Sequence, residues 1–256
     1  MRQGGRLLLG LSGVGLLIAL WALVAEAGVV PELFVPRLGS VGRAFLELGT
    51  AGYRGGTLTE HLLRSMTRLL LGFGLAVVTA VPAGILMGFS PTLRRVLDPL
   101  VQLYRPLPPL AYYTLLIVWL GIGEASKVAL LFLAAVPPLL LNAMAGVRSI
   151  SKSKVETARA LGATQRQVMT HVIFPSCLPD IFTGLRVGIG FAYTTLVSAE
   201  IVAASQGLGW MVLDASRFLR TDVIFVGIIT MAITGWGLDR IIIGFERLLV
   251  PWKGQG

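Results

Sequence analysis

The sequence predicts an all-α, polytopic membrane protein with six transmembrane helices and one structured loop outside the lipid. Three observations lead there. Hydrophobic residues make up 55% of the 256-residue chain and charged residues only 14%, against about 25% charged in an ordinary soluble domain. Mean hydropathy is +0.79. Charge-free stretches recur at about 20 residues, the length a helix needs to cross a bilayer. This composition excludes a disordered chain, and it leaves too few polar side chains to coat a water-soluble globule.

Each element has its own local signal. Leu7–Ala25 is charge-free after Arg2 and Arg6. Its apolar run is longer than that of a signal peptide, and Trp21 stands near its end as an interfacial anchor, so it reads as a retained first helix. Ser40–Leu48 has the pattern of an amphipathic helix lying at the interface. Leu69–Ser90 is the second span, with Pro82 inside it and Gly72, Gly74, Gly84 and Gly88 suited to close helix packing. The third span, Pro106–Gly121, is entered through an extended elbow, because Pro106, Pro108 and Pro109 do not fit a helix interior. The fourth lies between Lys127 and Arg148, and Pro137-Pro138 at its middle predicts a kink or break. The fifth is Ile181–Ala204, and the sixth begins at Val223 and reaches Leu238 or Phe245. The division expected is 1–68 for the first helix and outer loop, 69–249 for the permeating core with a loop at 148–180, and 250–256 for the tail.

The net charge of +9 is what membrane-flanking Lys and Arg produce, and no aromatic-basic interleaving of a nucleic-acid binder is present. With the N-terminus in the cytoplasm, 14 of the 22 basic residues fall on the cytoplasmic side, which favours both termini inside. Cys177 is the single cysteine, so no internal disulfide framework and no Cys-based zinc cluster is available. His61 and His171 lack metal-ligand spacing and read as interfacial or loop residues. No phosphate-binding GxxxxGK[ST] run occurs. No catalytic constellation and no metal site is expected, which argues against an intramembrane enzyme. The absence of an internal repeat argues against a self-sufficient ion-coupled transporter.

The polar interruption Arg148–Asp180 carries the most information. Val155, Ala158 and Leu161, then Val168, Val172 and Ile173, recur at helical spacing. Gly162 suits the end of the first short helix and Thr164 the N-cap of a second. Pro175 and Pro179 are expected to stop that second helix. The pattern Glu156-x-Ala158-x3-Gly162, with Val172, Phe174 and Pro175 further on, resembles the EAA loop of permease subunits of bacterial ABC importers, the binding-protein-dependent transport inner-membrane components. Further stretches, among them Gly88-Phe89-Ser90-Pro91, Tyr104-Arg105-Pro106-Leu107-Pro108-Pro109-Leu110-Ala111, Trp119-Leu120-Gly121, Thr183-Gly184-Leu185-Arg186, Ala199-Glu200 and Gly207-Leu208-Gly209, are similar to the taurine, alkanesulfonate and nitrate branch. The Tyr104–Ala111 stretch looks closest to taurine permeases, and Tyr112 and Tyr113 depart from that pattern.

The resemblance implies the type I importer permease fold in the bacterial inner membrane, and a homodimer. It also implies two copies of an ABC ATPase, which would hold ATP and Mg, and an extracytoplasmic solute-binding protein. It assigns ATPase coupling to Glu156, Thr157, Ala158, Leu161, Gly162, Val172, Phe174 and Pro175. The expected solute is a small sulfonate such as taurine, with an alkanesulfonate, nitrate or an aromatic acid as alternatives. From the residues themselves, Tyr193, Thr194, Thr195 and Ser198 form a hydroxyl-rich run in the fifth span. With Glu200 they are candidates for the translocation pathway or its gate, the alternative being hydrogen bonds between helices. Glu200 either lines the pathway or reaches the outer interface, and Arg186 snorkels or pairs with an acid.

Overall fold

The computed structural model describes residues 2–252, with side chains described for residues 12, 13 and 15–252. The expectations for Arg2, Arg6, the first part of the Leu7–Ala25 span, Lys253 and the end of the 250–256 tail concern side chains or residues outside that description. Among the described residues the secondary structure is helical, with one isolated β-bridge at Tyr53 and Gly56. The helices are α1 Arg2–Glu26, α2 Leu38–Thr50, α3 Leu58–Phe89, α4 Pro91–Tyr104, α5 Pro109–Leu120 and α6 Glu124–Arg148. They continue with α7 Lys152–Ala160, α8 Gln165–Gln167, a π-helical segment Val168–Ile173, α9 Phe174–Ala203, α10 Leu208–Arg217 and α11 Thr221–Leu249. Among the described residues, four stretches are long and apolar enough to cross a membrane: Leu58–Phe89, Glu124–Arg148, Gln165–Ala203 and Thr221–Leu249. Shorter apolar helices stand at Gly15–Glu26 and Pro109–Leu120, so apolar helices occupy all six expected places.

The chain divides into two compact units. The first holds Met1–Leu62 and Gln206–Met231. Val41, Ala44 and Leu48, one stripe of α2, pack there with Leu208, Met211, Ala215, Val223 and Val226. The amphipathic helix expected at Ser40–Leu48 is present as α2. Trp21 donates its indole N–H to the Pro36 carbonyl at 3.0 Å and lies against Phe225. His61, expected as an interfacial or loop residue, lies in α3 rather than a loop and is fully buried. Its Nδ1 accepts from the Gly207 N–H at 3.1 Å, so its Nε2 carries the proton and donates to the Tyr53 carbonyl, also at 3.1 Å. With both ring nitrogens satisfied, the burial leaves no polar group without a partner. Tyr53 donates to Asp214, which also pairs with Arg54. Burial, and after it that hydrogen bond, pushes the Tyr53 hydroxyl above its usual range.

The second unit holds Leu63–Ser205 and Ala232–Gly256. Its centre is α6, against which α3 and α9 pack. Glycines set the spacing: a Cβ at Gly72 would meet the Val128 carbonyl at 2.8 Å, one at Gly88 the Val147 side chain, and one at Gly184 the Asn142 Cβ at 2.8 Å. Of the kink or break expected at Pro137-Pro138, the break does not occur: α6 runs continuously through both prolines. Pro137 has no N–H for the Leu133 carbonyl, and the Tyr104 hydroxyl supplies a donor in its place at 3.0 Å. That carbonyl can only accept, so Tyr104 gives it its one proton and the Tyr112 hydroxyl, 2.8 Å from that of Tyr104, donates to Tyr104.

The third span differs from expectation. The extended elbow is present, with Pro108 as N-cap of α5 at φ −60° and ψ 131° and Pro109 in its first turn. But α5 has 12 residues, about 18 Å of helix, which falls short of a hydrocarbon core of about 30 Å. The preceding helix, α4, lies between α3 and this short helix in the chain. It starts beside the end of α3, where Gly88 meets Val147 near the last turn of α6, and ends with Tyr104 on Leu133 near the middle of α6. Ser90 caps α4 by accepting from the Leu93 N–H at 3.2 Å, with Pro91 at its start.

Candidate functional site

The loop after α6 is built as a platform. Val155 and Ala158 on the inner side of α7 pack with Val168, Ile173 and Cys177. The opposite side presents Glu156, Thr157 and Arg159 to solvent. Leu161 comes next, 84% exposed, a large apolar side chain with no intramolecular reason to face water. Gly162 turns the chain at φ +85°, a conformation that costs a side-chain-bearing residue. Thr164 then forms a capping box with Gln167, its own N–H donating to Gln167 Oε1 at 2.8 Å. Of the eight expected coupling residues, Glu156, Thr157, Leu161, Gly162 and Phe174 are exposed, while Ala158, Val172 and Pro175 are half-buried.

Pro175 and Pro179 do not stop the second helix. Helix continues from Gln165 through the π-helical turn into α9, which ends at Ala203. A π turn bonds i to i−5 and opens the backbone by one residue. This spares the carbonyl that a proline ring at position 175 would strike in a regular helix. Ser176 Oγ donates to the Val172 carbonyl at 2.6 Å and Thr183 Oγ1 to that of Pro179 at 2.9 Å. Loop and membrane helix are therefore one mechanical piece.

The hydroxyl run of α9 does not form one patch. Thr194 is exposed and Ser198 partly so, whereas Thr195 is buried. Tyr193 Oη shares a hydrogen bond with Thr234 Oγ1 of α11 at 2.6 Å. The exposed side of α9 carries Thr183, Arg186, Gly190 and Thr194 at helical spacing. Arg186 pairs with Asp239 of α11 at 2.8 Å, the ion pair among its two expected roles.

Glu200, expected to line the pathway or to reach the outer interface, is 0% exposed. Its Oε1 accepts from Arg68 Nη1 and from Ser65 Oγ, each at 2.7 Å. Arg68 also meets Glu124 through Nε and through Nη2, the latter at 2.8 Å, and Lys127 closes the group at 3.4 Å from Glu124. The first part of α3, the start of α6 and the end of α9 are thereby tied by two cations and two anions. The sequence marks Glu200 along its helix but gives no sign of Arg68, which lies 132 positions away. Tyr113, also fully buried, donates to the Ala199 carbonyl at 3.5 Å.

One cleft within this unit, about 440 Å³, lies where the elbow meets α6 and α9. Tyr104, Arg105, Ala134, Pro138, Asn142 and Phe191 are among its lining residues.

Comparison with known proteins agrees with this architecture. The family model for the binding-protein-dependent transport system inner membrane component matches residues 80–254. The chain is 43% identical over 248 residues to the taurine transport system permease protein TauC of Escherichia coli, covering 96% of this chain and 90% of that one. It is 36% identical to a putative aliphatic sulfonates transport permease protein, SsuC of Bacillus subtilis, over 96% and 88% of the two chains. It is 34% identical to the nitrate import permease protein NrtB of Synechocystis over 77% and 73%. A chain of the inward-facing MetNI methionine ABC transporter superposes with a TM-score of 0.60 at 19% identity, covering 73% of this chain and 95% of that one, which establishes the type I permease fold. The chain belongs to the family of binding-protein-dependent transport system inner membrane components, the permease subunits of ABC transporters.

Proposed function

We propose that this chain, as a homodimer, forms the membrane pathway of an ATP-driven importer for a small sulfonate such as taurine. One observation carries the substrate: similarity to the taurine permease extends over nearly the whole of both chains. The aliphatic sulfonate relative supports the same chemical class. Both termini lie in the cytoplasm, which puts α7 and Leu161 on the side where ATP is available. Two copies of an ABC ATPase bind ATP and Mg there and dock on Glu156, Thr157, Leu161 and Phe174, with Ala158, Gly162, Val172 and Pro175 holding the platform in shape. A solute-binding protein delivers the sulfonate from outside. Thr194 and Ser198 face the pathway, Tyr193 and Thr195 support that face, and Glu200 holds the outer ends of the helices through Arg68.

The test is uptake into proteoliposomes by the complex of this permease with its ATPase and binding protein. ATP-dependent accumulation of taurine, competed by short alkanesulfonates and not by nitrate, is the expected result. Accumulation of nitrate without taurine would overturn the substrate assignment.

A further inference from the structure

The cleft at the elbow holds an arginine in an unusual place. Arg105 is next to Tyr104, whose hydroxyl lies on the Leu133 carbonyl. Leu133 is nine positions into a helix of 25 residues, so the contact sits about 14 Å along an axis of about 37 Å. Arg105 therefore stands near mid-depth rather than with the cytoplasmic residues Arg94 and Arg95, where a charge count alone puts it. Among the described residues it has no carboxylate partner. A cation at such a depth is costly unless it faces water or a ligand, so it marks a functional position by default.

The opposite wall complements it. Pro138 has no N–H to give the Ala134 carbonyl, so that acceptor lacks its usual helical donor. Asn142, also in the lining, commits Nδ2 to the Pro138 carbonyl at 2.7 Å. The rest of the lining is largely apolar: Leu107, Pro108, Leu141, Val187 and Phe191. One cation and one freed carbonyl in an apolar cleft match a solute with an anion at one end and an ammonium at the other. At about 440 Å³ the cleft is roomier than a two-carbon solute requires, which suits passage, since a site for transit must also release.

The geometry points to a transit site for an aminosulfonate, with the sulfonate on Arg105 and the ammonium on the Ala134 carbonyl. This deepens the sulfonate reading above and rests on it. The experiment uses the whole complex in nanodiscs, with Cys177→Ala removing the native thiol and Leu141→Cys placing a reporter in the cleft. The reporter is reacted with 2-sulfonatoethyl methanethiosulfonate and with its cationic trimethylammonium counterpart. The anionic reagent should react faster. Arg105→Gln should lower the anion-to-cation rate ratio by about tenfold, and Arg105→Lys should restore it. A misfolded cleft would change both rates together and leave the ratio alone. An unchanged ratio with both rates as in the parent overturns the proposal, whether the cause is a remote Arg105 or a lipid phosphate already seated on it. A reporter that neither reagent reaches overturns it as well. Taurine uptake should fall about tenfold in Arg105→Gln and recover in Arg105→Lys, and wild-type uptake in Arg105→Gln is equally fatal. If the unsubstituted complex imports nitrate and no sulfonate, the substrate reading fails by itself, because the reagent ratio is measured with no substrate present.

Discussion

At the scale of single residues, the buried group around Arg68 shows why partners matter more than identity. Glu200 is one ionisable residue in an apolar helix, and the sequence marks it as unusual without saying what neutralises it. The answer comes from α3, where Arg68 is also held by Glu124. The two acids are not equivalent, because Glu124 has its carboxylate largely in water while Glu200 has none of it exposed. Removing the cation should therefore cost more than neutralising the buried acid. Arg68→Met is expected to destabilise by about 3–5 kcal/mol, the range for breaking a buried pair from one side. Glu200→Gln keeps an acceptor for Ser65 and leaves Arg68 its second carboxylate, so about 1–2 kcal/mol is expected, as for an ordinary charged hydrogen bond. Glu124→Gln should cost least. Thermal unfolding of the purified permease in detergent checks the order, and an equal loss for all three would show that the group does not act through burial. The roles of His61 and Tyr104 are invisible in the sequence for the same physical reason. They are set by backbone carbonyls and amides at Tyr53, Gly207 and Leu133, and backbone groups leave no mark in a residue pattern.

At the scale of elements, legibility tracks the strength of the local signal. The loop after α6 is readable down to its turn: Gly162 takes a positive φ and Thr164 caps α8, because both preferences are local and chemical. The π turn is not readable, since Pro175 and Pro179 carry the ordinary sign of a helix end and only the wider turn cancels it. α4 escapes a hydropathy reading although Ser90-Pro91 announces it, because its uneven polarity hides it beside longer apolar runs. The turn at Gly162 and the exposed Leu161 can be probed separately by substitution. A Cβ at Gly162 meets no atom within 4 Å, so Gly162→Val should disturb the turn through its backbone alone, at about 1–2 kcal/mol. Leu161→Ser touches no packing and should leave the melting temperature within about 1 °C of the parent, as surface changes do. Both should lower uptake and binding-protein-stimulated ATP hydrolysis by roughly fivefold or more, as lost interface anchors do. If Leu161→Ser couples normally, the exposed leucine is not the ATPase contact. If Gly162→Val couples normally, the turn does not set the platform.

At the scale of the whole molecule, the proposed homodimer requires that some faces meet lipid and others a second copy. The outward face of α3 carries Leu71, Leu75, Val78 and Leu86, with Thr79 bonding back to the Leu75 carbonyl. Such a face needs nothing but acyl chains. The exposed side of α9 is different, with Arg186, Gly190 and Thr194 in one line and Val187 and Phe191 beside them. Arg186 keeps its ion pair with Asp239 on this side, and a charged pair beside a bare glycine suits close approach of another helix around a polar path better than acyl chains. α9 should therefore lie at the junction of two protomers, and α3 should not. In a Cys177→Ala background, Thr194→Cys is expected to form an intermolecular disulfide on mild oxidation, yielding a band at twice the 27.3 kDa of one chain. Val78→Cys, on another exposed surface at 73% exposure, should remain monomeric under the same treatment. Leu196→Cys, only 2% exposed, should neither cross-link nor react with a water-soluble thiol reagent. The yield from Thr194→Cys should change when ATP turnover switches the pathway, because the two copies of α9 then part or close. A covalent dimer from Val78→Cys and none from Thr194→Cys would place α3 at the junction and α9 in the lipid, and the pathway assignment for Thr194 and Ser198 would fall with it.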